Sequence, residues 1–168
     1  MALTAPFRRI RAAHAAGEGR PLGGYLVSLA SYAALAGGAV LVGRRRGVRP
    51  PERVRVADVV LLSVATHKAS RLLTKASVTA ALRAPFTRYE EPAGLGEVNE
   101  SVRGDGVRHA VGELVTCPFC AGVWVAGVLT AGLVLAPRTT GVVVTVLSAV
   151  AGSDWLHLGY ARARQALE

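Results

Sequence analysis

At 168 residues the chain has the length of one domain, and 51% of its residues are apolar while only 18% are charged, against about a quarter in soluble domains. Its net charge of +9 would suit a nucleic-acid partner in a soluble protein. Here, however, Lys and Arg mostly lie outside the apolar runs and no nucleic-acid motif accompanies them, so the implied partner is a lipid bilayer. Two cysteines exclude a disulfide-rich scaffold.

Residues 1–21 form a basic leader carrying Arg8, Arg9, Arg11 and Arg20. Residues 22–42 follow without a single charge, matching the roughly 20 residues an α-helix needs to cross about 30 Å of hydrocarbon. The run is too long for the h-region of a secretory signal and ends in Arg44-Arg45-Arg46, so it reads as a retained anchor. Ala33 with Gly37, and Ala34 with Gly38, offer small-xxx-small spacing for close helix packing, and Gly122 with Ala126 and Gly127 with Ala131 repeat it further along the chain.

Pro50 and Pro51 bar a continuous helix through the arginine-rich linker that follows. The next helix, 56–73, is marginal and amphipathic. Its first half is apolar apart from Asp58, and His67, Lys68 and Arg71 crowd its second half. Residues 74–110 read as a polar loop of nearly balanced charge. Arg103-Gly104-Asp105 within it spells an adhesion tripeptide but is better explained as turn chemistry. Two further spans, 114–136 and 141–160, are joined by the short Pro-Arg-Thr-Thr connection, which makes them antiparallel neighbours. Trp155 and Tyr160 suit the interfacial aromatic belt, and residues 161–168 form a basic tail. The fold class is therefore all-α: a polytopic membrane protein of about four helices, three of them transmembrane spans and one a marginal amphipathic helix.

Lys and Arg also bear on orientation. With four spans and cytoplasmic termini, the leader, loop and tail place four, five and two basic residues inside, against six from the first linker plus Arg138 outside. With three spans the linker joins the inside. Both readings put loop 74–110 and the C-terminus in the cytoplasm, at the inner or plasma membrane.

Thr66 to Glu91, THKASRLLTKASVTAALRAPFTRYEE, followed by Gly112 to Trp124, GELVTCPFCAGVW, resembles the small bacterial membrane proteins catalogued as domain of unknown function 1360. The likeness covers about 54–160, leaving the leader and first helix as an addition. It implies a multi-helix inner-membrane protein with no established enzymatic activity, one branch of the family being linked with sporulation. The family pattern often has an acidic residue after the Lys of Thr-Lys, where this chain has Ala76.

Chemistry concentrates at Cys117-Pro118-Phe119-Cys120. Pro118 has no N–H and is at home in a first helical turn, which makes Cys117 a plausible N-cap whose thiolate the helix N-terminus would stabilise. Three readings stay open. The first is a packing pair. The second is a thiol–disulfide oxidoreductase with Cys117 as nucleophile and Cys120 as resolving thiol, although further relay cysteines are missing. The third is a zinc site completed by His109, His157, His67 or a second copy of the chain; apart from zinc no cofactor is implied. A second group, Asp58, His67, Arg71, Glu113, Asp154 and His157, places ionisable side chains near membrane depth. Such groups usually face a bundle interior, and Arg71 would pair with Asp154 or Glu113. No nucleophile–base constellation, P-loop or dinucleotide fingerprint occurs. The expected role is non-enzymatic: a structural or partner-binding membrane protein, its partner a second copy or another membrane protein.

Overall fold

The computed structural model describes residues 13–14 and 21–167; most of the basic leader lies outside them. Six α-helices, one 3-10 turn and a two-stranded hairpin make up the described residues. In chain order they are α1 (Leu22–Arg45), α2 (Val56–Thr74), the 3-10 turn Ser77–Thr79, α3 (Ala80–Arg83), β1 (Thr87–Gly94), β2 (Glu97–Val102), α4 (Gly106–Thr116), α5 (Pro118–Leu135) and α6 (Pro137–Gln165).

Three helices, α1, α5 and α6, are long and apolar enough to cross a membrane. At 1.5 Å per residue they measure roughly 36, 27 and 44 Å. Only 6, 17 and 11% of their apolar windows is buried within the molecule, so most of that apolar surface faces outward. The fourth long helix, α2, packs against α5 and α6. Ala65 of α2, Leu129 of α5 and Val144 of α6 are buried together, with Leu62, Val125 and Leu147 packed around them.

Contacts along the helices set their directions. Gly24 meets Ala110 and Gly106, Tyr32 lies on Gly127, and Gly43 reaches Leu135, so α1 and α5 run the same way. Gly132 abuts Thr140, which makes α6 antiparallel to α5. Ser148 Oγ donates to Leu61 O at 2.9 Å and Lys68 reaches Asp154, so α2 runs with α6. Residues 75–117 therefore form a cap at the end of the bundle where α1 and α5 begin and α2 and α6 finish.

The cap corrects the all-α expectation. Residues 87–102 of what reads as a polar loop form an antiparallel hairpin pairing Thr87 with Val102, Tyr89 with Glu100 and Pro92 with Val98, with irregularities after Tyr89 and Pro92. Gly94 and Gly96, at φ +124° and +74°, supply the left-handed backbone of its tip. Val98, Glu100 and Val102 lie two residues apart on one face of β2. Of these, Val102 packs on Gly112 and Glu100 meets Arg83, so this face looks into the molecule. Arg103-Gly104-Asp105 is indeed a turn: Gly104 has φ +77° and Asp105 caps α4.

Two boundaries also differ. The expected span at 114–136 is two helices, because Cys117 is extended between α4 and α5. The last helix begins at Pro137 rather than at 141, since proline at the first helical position costs no hydrogen bond. The connection between α5 and α6 shrinks to Ala136. Of the small-residue pairs, Gly37 and Gly38 face open space, whereas Gly127 takes the Tyr32 ring, which stands edge-on to Trp124 at 5.3 Å and 71°.

A Cβ at Gly112 would collide with Val102 and approach Phe86 O to 3.0 Å. Gly112→Val is therefore expected to cost about 1–3 kcal/mol through overpacking and to loosen the hairpin. Limited proteolysis should then cut within 87–102 faster, while Gly37→Val, on the open face of α1, leaves the cleavage rate unchanged.

Candidate functional site

Two assemblies of polar side chains stand out, both at the junction of bundle and cap. The first is centred on Arg83, whose side chain is 1% exposed and pairs with Glu100, itself 4% exposed. Nη1 of Arg83 donates to Leu73 O at 2.9 Å and to Thr79 Oγ1 at 2.8 Å, and Nη2 to Ala76 O at 3.1 Å. Thr87 Oγ1 lies 3.0 Å from Arg83 O and 3.1 Å from Glu100 Oε1. One guanidinium thus joins the end of α2, the 3-10 turn, α3 and β2. A buried charge is tolerated only when paired and hydrogen-bonded, and here each partner is.

Around this centre lie outer pairs. Arg71 makes a bidentate pair with Glu97, Nε to Oε1 being 3.0 Å. Lys68 reaches Asp154 at 2.5 Å, tying α2 to α6. His109 sits 3.5 Å from Glu113 one helical turn on, and its Nδ1 lies 3.0 Å from Gly104 O.

The expected membrane-depth network is accordingly rearranged. Arg71 pairs with Glu97, not with Asp154 or Glu113, because the hairpin brings β2 over the end of α2. Asp154 takes Lys68 instead. Asp58 is exposed in the first turn of α2, where a carboxylate complements the helix dipole. His157 is exposed on α6, and His67 lines a crevice of about 440 Å³ between α2 and α5. Arg83, Glu97, Glu100, Thr79, Thr87 and Lys68 escaped the sequence reading, although Lys68, Thr79, Arg83 and Thr87 fall inside the Thr66–Glu91 block. The available signal was an arginine preceding Thr-Arg-Tyr-Glu and Glu-Val-Asn-Glu-Ser-Val, two strand-like runs flanking Gly-Leu-Gly.

The second assembly is the cysteine pair. Pro118 opens α5 and Cys117 is its N-cap, with Cys117 Sγ accepting the Cys120 N–H at 3.2 Å. Both thiols are free; Cys117 is partly covered and Cys120 exposed. Burial pushes the Cys117 thiol up. Hydrogen bonds from the Cys120 side chain and backbone, the Phe119 N–H and the charge of Lys75 outweigh burial and hold the thiol below its ordinary value. Both cysteines line a cleft of about 670 Å³ between α1, α4 and α5, walled by Tyr25, Leu29, Tyr32 and Trp124. Glu113 shares that cleft. Among the described residues no three of His, Cys, Asp and Glu converge in a way that could hold a metal ion, and His109 is engaged with Gly104 and Glu113 rather than with the sulfurs.

Removing one member of the buried pair, Arg83→Ala or Glu100→Ala, is expected to cost about 3–5 kcal/mol. Glu97→Ala should cost below about 1 kcal/mol, because Arg71 is 43% exposed and water replaces its partner. Thermal unfolding in one detergent compares the three. Alkylation of Cys117, followed by peptide mapping, should reach half its limiting rate at lower pH than a free thiol, and Lys75→Gln should move that midpoint upward.

The model of a family described as protein of unknown function (DUF1360) matches residues 61–160. The chain is also 36% identical over 97 residues to the sporulation protein YjcA of Bacillus subtilis (strain 168), which is 56% of this chain and 81% of that protein. No solved structure matches.

Proposed function

We propose, from the premise that this chain belongs to the DUF1360 family, that it is an integral protein of the cell membrane whose cap is a binding platform for another protein. The observation that carries the reading is the division of the molecule into an outward-facing apolar bundle and a cap locked by the Arg83–Glu100 pair. In this reading α2 crosses beside the other three helices, its Lys68 and Arg71 neutralised by Asp154 and Glu97. The partner surface is the solvent-exposed part of the hairpin, where Tyr89 and Leu95 stand exposed near Glu90 and Glu91. Aromatic and apolar anchors set among charges suit recognition of a protein partner. The partner is a second membrane protein, or a second copy of this chain.

The cap and C-terminus face the cytoplasm in this proposal, since leader, loop and tail carry eleven Lys and Arg against seven in the first linker and at Arg138. Likeness to a protein named for sporulation supports a part in cell differentiation rather than in metabolism.

Sidedness has a direct test. In a Cys117→Ser, Cys120→Ser background, Leu95→Cys is expected to resist a membrane-impermeant maleimide in intact cells and to label after lysis. Labelling of intact cells would put the cap outside. A photo-crosslinking residue at position 89 should capture a discrete protein, and the same probe at lipid-facing position 146 should not. Equal yields at both positions would overturn the platform.

A further inference from the structure

We propose that Cys117 and Cys120 form a redox-active dithiol that passes two electrons to a membrane-dissolved quinone seated in the cleft between α1, α4 and α5. This goes beyond the platform reading and does not rest on it.

Spacing makes the pair competent. The Cys120 thiol hydrogen-bonds the Cys117 thiol, and the Cys120 N–H points at Cys117 Sγ from 3.2 Å. The N-cap position beside Lys75 supplies the thiolate that nucleophilic attack requires. The cleft selects the oxidant. Its volume of about 670 Å³ lies within the range that encloses small organic ligands. Tyr25, Tyr32 and Trp124 give it aromatic walls, suited to stacking on a planar ring. Because it lies between two helices apolar enough to be membrane spans, its natural visitor arrives through lipid.

Glu113, on the α4 side of the same cleft, completes the proton bookkeeping. Cys117 adds through its sulfur to an electron-poor ring carbon, forming a C–S bond, and a ring oxygen takes up the proton that Cys117 gave. Cys120 then loses its proton to Glu113 and attacks Cys117 Sγ. The C–S bond breaks, its electron pair enters the ring, and Glu113 returns the proton to the departing hydroquinone. Two thiols become one disulfide, and the quinone gains two electrons and two protons. The chain has no further cysteine, so a dithiol on another molecule must restore the pair by exchange at Cys117.

The test uses the full chain, reduced and reconstituted in lipid nanodiscs without oxygen, with decylubiquinone as probe. That quinone has no open ring position, so stable thioethers cannot accumulate. Expected is the loss of two thiols per chain with an equal amount of hydroquinone, absent in Cys117→Ser and in Cys120→Ser. Glu113→Gln should slow the reaction at least ten-fold, with the deficit narrowing as pH rises and the thiols ionise unaided. In a Trp155→Phe background, Trp124 fluorescence should be quenched saturably, and the cysteine-free variant should retain that quenching, which reads binding apart from chemistry. Thiols that survive the quinone, quenching that fails to saturate, or oxidation equally fast with oxidised glutathione would each overturn the proposal.

Discussion

The ion pair between Arg83 and Glu100 is the constraint on which the architecture of the cap depends. Nearly all of both side chains is withdrawn from solvent, so either charge left alone would be untenable. Because the guanidinium also holds the carbonyl of Leu73, it satisfies a backbone acceptor in the last turn of α2, and it reaches Ala76 O just beyond that helix. The hairpin cannot shift its register without withdrawing Glu100, and α2 cannot fray without losing Arg83. A single side chain thereby makes the end of a membrane-associated helix and the placement of a small sheet one cooperative unit. Two strands alone would be marginal in water, and here the helices beneath supply the support that a third strand would give.

The pair also explains how α2 keeps so many charged groups. On its own the helix carries Asp58, His67, Lys68 and Arg71, which insertion scales penalise heavily at membrane depth. The structure disposes of them locally: Asp58 sits in the first turn, Lys68 finds Asp154 on α6, and Arg71 finds Glu97 on the hairpin. Ala65 and Leu62 of α2 pack against Leu129 of α5 and Val144 of α6. The helix therefore changes character along its length, hydrophobic between its neighbours and polar where it meets the cap.

The three apolar spans were legible from sequence because each announces itself within its own residues. The same holds for the N-cap role of Cys117, which local proline stereochemistry sets. What escaped was whatever depends on distant residues meeting. Glu90, Glu91, Glu97, Glu100 and Pro92 dilute the β-forming residues of the hairpin, so 87–102 reads as a solvated loop. Arg83 looks like any other arginine of a charge-balanced segment until β2 folds over it. For the same reason the partner of Arg71 was sought on other membrane helices. The glycine pairs fail differently: spacing identifies faces that could pack, but Gly37 and Gly38 find no neighbour while Gly127 does.

One consequence lies in the directions of the four long helices. α1 and α5 begin at the cap, and α2 and α6 end there. A helix carries about half a positive charge at its start and half a negative charge at its finish, and hydrocarbon screens such charges poorly. Two dipoles pointing each way leave the bundle with little net polarity along its own axis. With that axis set across a membrane, a change of voltage would do almost no net work on the backbone, and electrical sensitivity would reside in side chains, foremost Lys68 with Asp154.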